Sequence, residues 1–308
     1  MRVLTVNAGS TSMKLHLVDG GEAETVQDFV AADAVGHRVV HGGSRYTAPA
    51  LVTEDVEREI ERMTVLAPLQ NAATLRGIRA ARAALPAVPQ VAVFDTGFHA
   101  TIPDAAATYA IPALWRERFG IRRFGFHGIN VQWVASRVPA ARLVVCHLGG
   151  GCSVTAVSNG RSVDTTMGFT PLEGLPMATR SGSVDPGAIV YLLREGRVTL
   201  DQLEHALEHE SGIAGLSGTA DGDIRSASPL AVDVFVHRVA AAVAAMAASC
   251  GGLDRLAFTG GIGERADGVR ERIVERVRFL GAFDVAVVPA REELMIAAET
   301  RRLLGSAA

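Results

Sequence analysis

Three short glycine-bearing stretches carry the residue types that handle phosphate: Asn7 to Ser12 (NAGSTS), Leu148 to Cys152 (LGGGC) and Thr259 to Glu264 (TGGIGE). Glycine lets a backbone approach an anion closely, and N–H groups with nearby hydroxyls supply neutral donors. Spacing excludes two familiar phosphate loops. A Walker loop needs GxxxxGK[ST] before a helix, whereas a strand pattern follows Gly9, and GGIGE does not spell the dinucleotide fingerprint GxGxxG. Of the 30 Lys and Arg residues only Lys14, just after the first loop, is a lysine. A chain that writes arginine everywhere else keeps a compact ammonium there.

The elements that hold these loops repeat. Residues 2–6 read as an apolar strand, 7–12 as a loop, 14–18 as an alternating strand and Asp19-Gly20-Gly21 as a hairpin turn. Residues 143–147, 148–152 and 153–157 repeat strand, loop and strand, and Asn159-Gly160 supplies the turn. One device used twice points to two similar domains related by duplication, with a cleft between them. The third loop follows a strand at 255–258 and leads into an amphipathic pattern over 269–280. Helical patterns over 56–63, 72–85, 111–119, 200–211, 229–250 and 292–304, with a further strand over 88–96 that ends on an acid, make this an α/β chain.

A length of 308 residues matches two domains at ~150 residues each, and 48% hydrophobic against 20% charged residues describes a globular chain. The net charge of −3 leaves no excess of positive charge for a polyphosphate backbone, so no nucleic-acid partner is expected. Three cysteines at no metal-ligand spacing argue for a reducing compartment, and a cytoplasmic location is expected. The first ten residues read as strand and loop where a signal peptide would be apolar. The most apolar later stretch, 239–253, is uncharged for only 15 residues, so no membrane span is expected.

The strings VNAGSTSMK (6–14), GHRVVHGG (36–43), LAPLQN (66–71), VFDTGFH (93–99), FGFHG (124–128), CHLGGG (146–151), DTTMGFTPLEGLPMATRSGSVDPG (164–187) and FTGGIGE (258–264) resemble, in order, the acetate kinase family over most of the chain. The resemblance implies two duplicated actin-like, ribonuclease-H-like domains with a nucleotide cleft between them: residues 1–96 with 294–308, and a nucleotide-binding domain over 97–293. It implies reversible, ATP-dependent phosphorylation of acetate to acetyl phosphate by direct in-line transfer, with Mg2+ and as a homodimer. A carboxylate is already ionised at neutral pH, so no general base is needed and catalysis reduces to positioning and charge neutralisation.

Carried over position by position, the resemblance makes Arg38, Asp95, His127 and Arg180 the catalytic residues. The arginines would bind carboxylate and phosphoryl oxygens, and His127 would donate to the phosphoryl group in the transition state. Asp95 and Glu292, with Asn7, would organise Mg2+, partly through water. Asn7, Ser10, Ser12 and Lys14 match the first phosphate loop, and His147, Gly149, Gly150 and Gly151 match the second. Gly260, Gly261 and Gly263 match the adenosine-side loop, and Asp223, Ile224 and Arg225 an adenine-side segment in which Ile224 replaces an aromatic residue.

Arg38, Val40, Leu69, Phe126 and Pro171 match a small acyl pocket. Strand alternation independently sets Arg38 and Val40 on one side, a charge beside an apolar wall, while His37 and His41 face away and read as core histidines. One methylene is worth only ~1–3 kcal/mol in such a pocket, so acetate comes first and propionate next.

The chain departs from the family at Gln70, where histidine is usual, at Gly150, where asparagine is usual, and at Ile129-Asn130-Val131 in place of Thr-Ser-His. Asn7 and Arg38 also stand closer than in the family, as though part of the first domain were missing. These departures keep two other readings open: a kinase of this fold with another carboxylate or with pyrophosphate as donor, and a binding protein of little activity.

Overall fold

The computed structural model describes residues 1–9 and 13–305, leaving out the side chains of Pro68 and Leu69. Ser10, Ser12 and the Leu69 side chain therefore lie outside the described residues. The chain divides into two compact units, one of Met1–Ile102, Thr108–Ser136 and Ala290–Ala308, the other of Pro103–Ala107 and Arg137–Pro289. The segment that carries His127 belongs to the first of these.

The first unit is built on strands β1 (Val3–Ala8), β2 (Met13–Asp19), β3 (Glu22–Val26), β4 (Ala34–Val39), β5 (Ala50–Leu51) and β6 (Gln90–Phe94), in the order β3-β2-β1-β4-β6-β5. The second has β7 (Arg142–Leu148), β8 (Cys152–Ser158), β9 (Arg161–Thr165), β10 (Arg255–Thr259) and β11 (Asp284–Val287), in the order β11-β10-β7-β8-β9. Each sheet is an antiparallel three-strand meander whose first strand takes a parallel neighbour on its other edge, and that neighbour takes a second. The duplication legible in the loops extends to the whole sheet. Both meanders turn where the sequence places glycine, and Asn159 (φ 48°) with Gly160 (φ 77°) takes the left-handed pair that a tight hairpin requires.

β1 is buried along nearly its whole length because both faces are covered. Leu4 and Val6 pack towards Ala81 of the helix Pro68–Ala84, while Val3 packs with Ala34 and Ala297 of the C-terminal helix Glu292–Leu303. Gly36 in β4 makes the second contact close: a Cβ there would lie 2.6 Å from Thr300 Oγ1 and 2.7 Å from Ile296 Cγ2. Arg301, only 6% exposed, donates from Nε, Nη1 and Nη2 to the carbonyls of Met1, Gly20 and Val18, each at 3.0 Å. Arg301→Ala is expected to lower unfolding stability by roughly 2–4 kcal/mol, since it strips three donors from a buried end of the sheet. Urea denaturation reads this directly, and a loss below ~1 kcal/mol would mean that the helix is held by its apolar face alone.

In the second unit the alanine-rich helix Pro229–Cys250 starts at a Ser228 cap and ends on Gly251 (φ 71°). By length and composition it could cross a membrane. Its Phe235, Val236, Val239, Val243 and Met246 are instead buried in this unit, against β7, β8 and the helices Gly212–Ser217 and Asp267–Val277.

Candidate functional site

Parallel pairing of β1, β4 and β6 lines up their C-terminal ends, and three polar side chains gather there. Arg38 reaches Asp95 Oδ2 from Nη2 at 2.6 Å and from Nε at 3.1 Å, and its Nη1 lies 3.2 Å from Glu292 Oε2. Asn7 joins the same group, donating from Nδ2 to Glu292 Oε2 at 3.0 Å and accepting from Arg38 at 3.4 Å. Glu292 is delivered by the first turn of the C-terminal helix, so the close packing at Gly36 also sets its reach. Lys14 stands opposite Asn7 across the β1–β2 ladder, which puts both side chains on one face.

One guanidinium serves two carboxylates, so the cluster carries a net negative charge. Burial pushes the Asp95 carboxyl up to about 6 against the pull of Arg38, with Glu292 adding to the rise. Burial opposes the charge on Arg38 as well, but the two acids outweigh it and hold the guanidinium more firmly protonated than usual. Asp95 Oδ1 is buried and has no well-aligned hydrogen bond, with the Ile129 N–H near enough to favour the ionised carboxylate.

His127 is one of two non-glycine residues with positive φ among the described residues, at 60°. Such a conformation costs of order 1–3 kcal/mol and persists only where its surroundings impose it. Here the following residue imposes it: Gly128 donates to the Asp95 carbonyl at 3.0 Å, and a Cβ on Gly128 would sit 2.1 Å from that oxygen. The GFHG string thus ties His127 to the Asp95 backbone. Phe126 beside it is buried, its carbonyl 2.9 Å from His99 Nε2 and its ring 5.3 Å from that of His41.

Two residues given no role in the sequence reading, Asn71 at the end of the LAPLQN string and Thr74 beyond it, hold the Arg38 strand end. Asn71 accepts from the His41 N–H and donates to the His41 and Ile60 carbonyls, all at 3.2 Å, while Thr74 donates to the Arg38 carbonyl at 3.2 Å. Their spacing of three along one helix, facing a strand, is the signal that could have found them. Val40 follows β4 and is buried, as an apolar wall requires.

The second unit carries the remaining loops. Arg180 is half-buried and donates to the Pro171 carbonyl at 2.7 Å. Its own segment is pinned by backbone bonds, Ser211 N–H to Thr179, Ile213 N–H to Met177 and Ala214 N–H to Ala178, each at 2.9 Å. Burial lowers the Arg180 pKa, and Glu208 partly offsets that. His147 is the last residue but one of β7, and the Gly149–Gly151 turn closes through a 3.0 Å bond from Gly149 N–H to the Gly151 carbonyl. Gly260 (φ 79°) lies against the Leu148 backbone, where a Cβ would meet the carbonyl at 2.7 Å.

These loops enclose a pocket of about 220 Å³ lined by Gly149, Gly150, Asp223, Ile224, Arg225 and Gly261, together with Ala178, Asp221, Gly222, Ile262, Arg265 and Ala266. Of the second set, Asp221, Gly222, Arg265 and Ala266 lie outside every motif read from the sequence. Gly222 (φ 59°) faces the Ala178 carbonyl, 2.1 Å from where its Cβ would be, a closeness that no motif records.

The acetokinase family pattern matches residues 21–296. The chain belongs to the acetokinase family. It is 46% identical over 286 residues to the acetate kinase of Trichormus variabilis, covering 87% of this chain and 70% of that one. Against the acetate kinase of Deinococcus deserti it is 42% identical over 355 aligned positions, covering 99% and 89%. The crystal structure of Porphyromonas gingivalis acetate kinase superposes with a TM-score of 0.90 at 29% identity, and that of a Francisella tularensis propionate kinase with 0.88 at 32%, each covering 98% of this chain and 99% of the other.

For an acetokinase chain the question of Mg2+ arises, and the residues fit it. The donors at the first cluster are all oxygens, and a buried carboxylate oxygen of Asp95 has no well-aligned hydrogen bond. No group of three or more His, Cys, Asp or Glu side chains among the described residues could hold a metal unaided.

Gly150, where the family has asparagine, tests the second loop. A Cβ there meets nothing within 4 Å, and its backbone is not left-handed. Gly150→Asn is therefore expected to fold normally and to strengthen nucleotide binding by one amide contact to a charged group, ~1.5–3 kcal/mol at most. Titration of ATP should show the gain while the acetate constant stays put, and unchanged or weaker ATP binding would mean that the loop is built around glycine.

Proposed function

We propose that the protein is an acetate kinase, transferring the γ-phosphoryl group of ATP to acetate to give acetyl phosphate, and the reverse. The observation that carries this reading is the Arg38 cluster: one guanidinium fixed by Asp95 and Glu292, with the left-handed His127 anchored on the Asp95 backbone. Arg38 binds the acetate carboxylate beside the apolar wall of Val40 and Phe126. His127 donates to the phosphoryl oxygens, and Arg180 neutralises charge that grows on them in transfer. Asn7, Lys14 and the glycine loops take the remaining phosphate oxygens. Mg2+, held through Asp95, Glu292 and Asn7, would supply charge neutralisation on the phosphates.

Incubation with ATP, Mg2+ and acetate, with hydroxylamine trapping of the acyl phosphate, is the test. Hydroxamate formation is expected, and none under any acceptor would sink the assignment. Propionate is the second acceptor to try, because Val40 and Phe126 offer apolar contact and a structure similar to this chain is a propionate kinase. We propose further that the enzyme is cytoplasmic and works as a homodimer. The helix Pro186–Arg194 supports the second point, since it has no buried residue and yet exposes Val190, Tyr191 and Leu193. Sedimentation at twice 32.3 kDa is the expected result.

A further inference from the structure

Two helices of the first unit start where site residues stand. Glu292 opens the helix Glu292–Leu303, and His127 stands one residue before the helix Gly128–Arg137, its carbonyl accepting the Val131 N–H at 2.9 Å. Near these starts the contact between the helices is apolar, Ile129 packing with Met295 and Ile296 over Val91 and Val93 of β6. One turn further on it changes character. Glu299, only 8% exposed, accepts from Gln132 Nε2 at Oε1 (2.8 Å), and its Oε2 accepts from Arg302 Nε and Nη2 at 3.0 and 2.6 Å. The Arg302 bonds stay within one helix, whereas the Gln132 bond joins the two. Glu299 itself is held in place by the residues after it: Thr300 meets the sheet at Gly36, and Arg301 donates to the carbonyls of Met1, Gly20 and Val18.

Apolar packing has no preferred direction and tolerates a helix that slides or turns by a small step. A hydrogen bond to a carboxylate fixes one distance and one direction, and a carboxylate so enclosed is costly unless its oxygens are engaged. Glu292 lies seven residues before Glu299, nearly two turns and about 10 Å along the same helix, and Gln132 lies five residues after His127. The bond between Glu299 and Gln132 therefore sits behind both site residues, and a shift in it is carried forward by both helices. We propose that Glu299 and Gln132 are positioning residues, which hold the two helices at one spacing and so set His127 against the cluster of Arg38, Asp95 and Glu292. The inference rests on the acetate kinase reading, in which His127 must meet the phosphoryl oxygens, and there a misplacement of ~1 Å can cost ~100-fold in rate.

The test follows turnover and one signal that needs none. In the hydroxylamine assay Glu299→Ala and Gln132→Ala are each expected to lower kcat by about ten- to a hundredfold, while the KM values for ATP and acetate move by less than about twofold. Glu299→Gln keeps an oxygen for Gln132 and should recover most of the rate. Arg302→Ala, which removes the partner of the other oxygen, should leave kcat as it was. The double variant Gln132→Ala, Glu299→Ala should be no slower than either single one, since both remove the same bond. Urea midpoints establish that each variant is folded, and if Glu299→Ala is not, Gln132→Ala, at a half-buried position, carries the comparison. The imidazole signal of His127 in NMR, assigned with His127→Gln, should shift in Gln132→Ala and stay in place in Arg302→Ala and Glu299→Gln. Native kcat in a folded Gln132→Ala protein, an equal fall in Arg302→Ala, or losses that multiply in the double variant overturn the proposal. A native protein that makes no acyl phosphate counts against the acetate kinase reading instead, and the imidazole signal then decides: unmoved in Gln132→Ala, it overturns the positioning role.

Discussion

Replacing Arg180 by Ala is expected to lower turnover by roughly two to four orders of magnitude and to leave the fold intact, as removal of a transition-state charge donor does elsewhere. The fold should survive because the segment is pinned by main-chain bonds to residues 211–214 and not by the guanidinium, which among the described residues donates to the Pro171 carbonyl. Burial of that side chain makes its positive charge costly in the free protein. An arginine kept in such a place has an anion to meet. Because the acceptor carboxylate needs no base, charge neutralisation is most of what the protein can contribute, and the loss should fall on kcat more than on either KM. Circular dichroism and single-turnover kinetics separate the two effects. Near-normal turnover in a folded Arg180→Ala protein would remove this residue from the mechanism.

The second large effect concerns acid. His37 and His99 are fully enclosed, the first against Gln90 at 2.8 Å and the second against the Phe126 carbonyl, and burial pushes each down to about 4. A histidine whose folded pKa is depressed binds its proton more weakly folded than unfolded. Its contribution is therefore whole above the unfolded value of 6.5 and is lost as pH falls towards 4, at ~3 kcal/mol for each ring. Asp95 runs the other way. Pushed up to about 6, it takes its proton more readily in the folded state and returns ~3 kcal/mol between pH 6 and 4. The net expectation is a loss of ~3–4 kcal/mol between pH 7 and 4.5, read from urea midpoints at the two values. A His37→Gln, His99→Gln protein that folds should lose much less, and equal midpoints at both pH values in the native protein would contradict the account.

The sheets were largely legible because each strand-loop-strand unit states its own turn. Strand alternation and Gly20 or Asn159-Gly160 suffice locally, and the duplicated unit supplies the pairing order. β11 and the helix Gly128–Arg137 were not, since β11 is a four-residue strand with exposed valines and the helix opens on a glycine that carries no start signal of its own. The glycine loops could be read because their composition is their chemistry. The positioning roles of Asn71 and Thr74 could not: each acts through a partner far along the chain, and one polar side chain on a helix looks the same in sequence whether it meets water or a strand end. The left-handed conformation of His127 was hidden for a related reason, because the Gly128 contact that enforces it is with Asp95.

The Arg301 clamp has a consequence for how the chain is made. The second unit comes almost wholly from one continuous stretch, Arg137–Pro289, and can close as it leaves the ribosome. The first unit cannot. Its sheet is synthesised early, yet the helix that covers Val3, Ala34 and Gly36, and the arginine that ties down Met1 and Val18, arrive some 150 residues after the rest. During translation the earlier half waits with one apolar face bare while the later half folds. The nascent chain therefore inverts the usual order of N-terminal domain first, and the apolar face of β1 and β4 is where a chaperone would be needed.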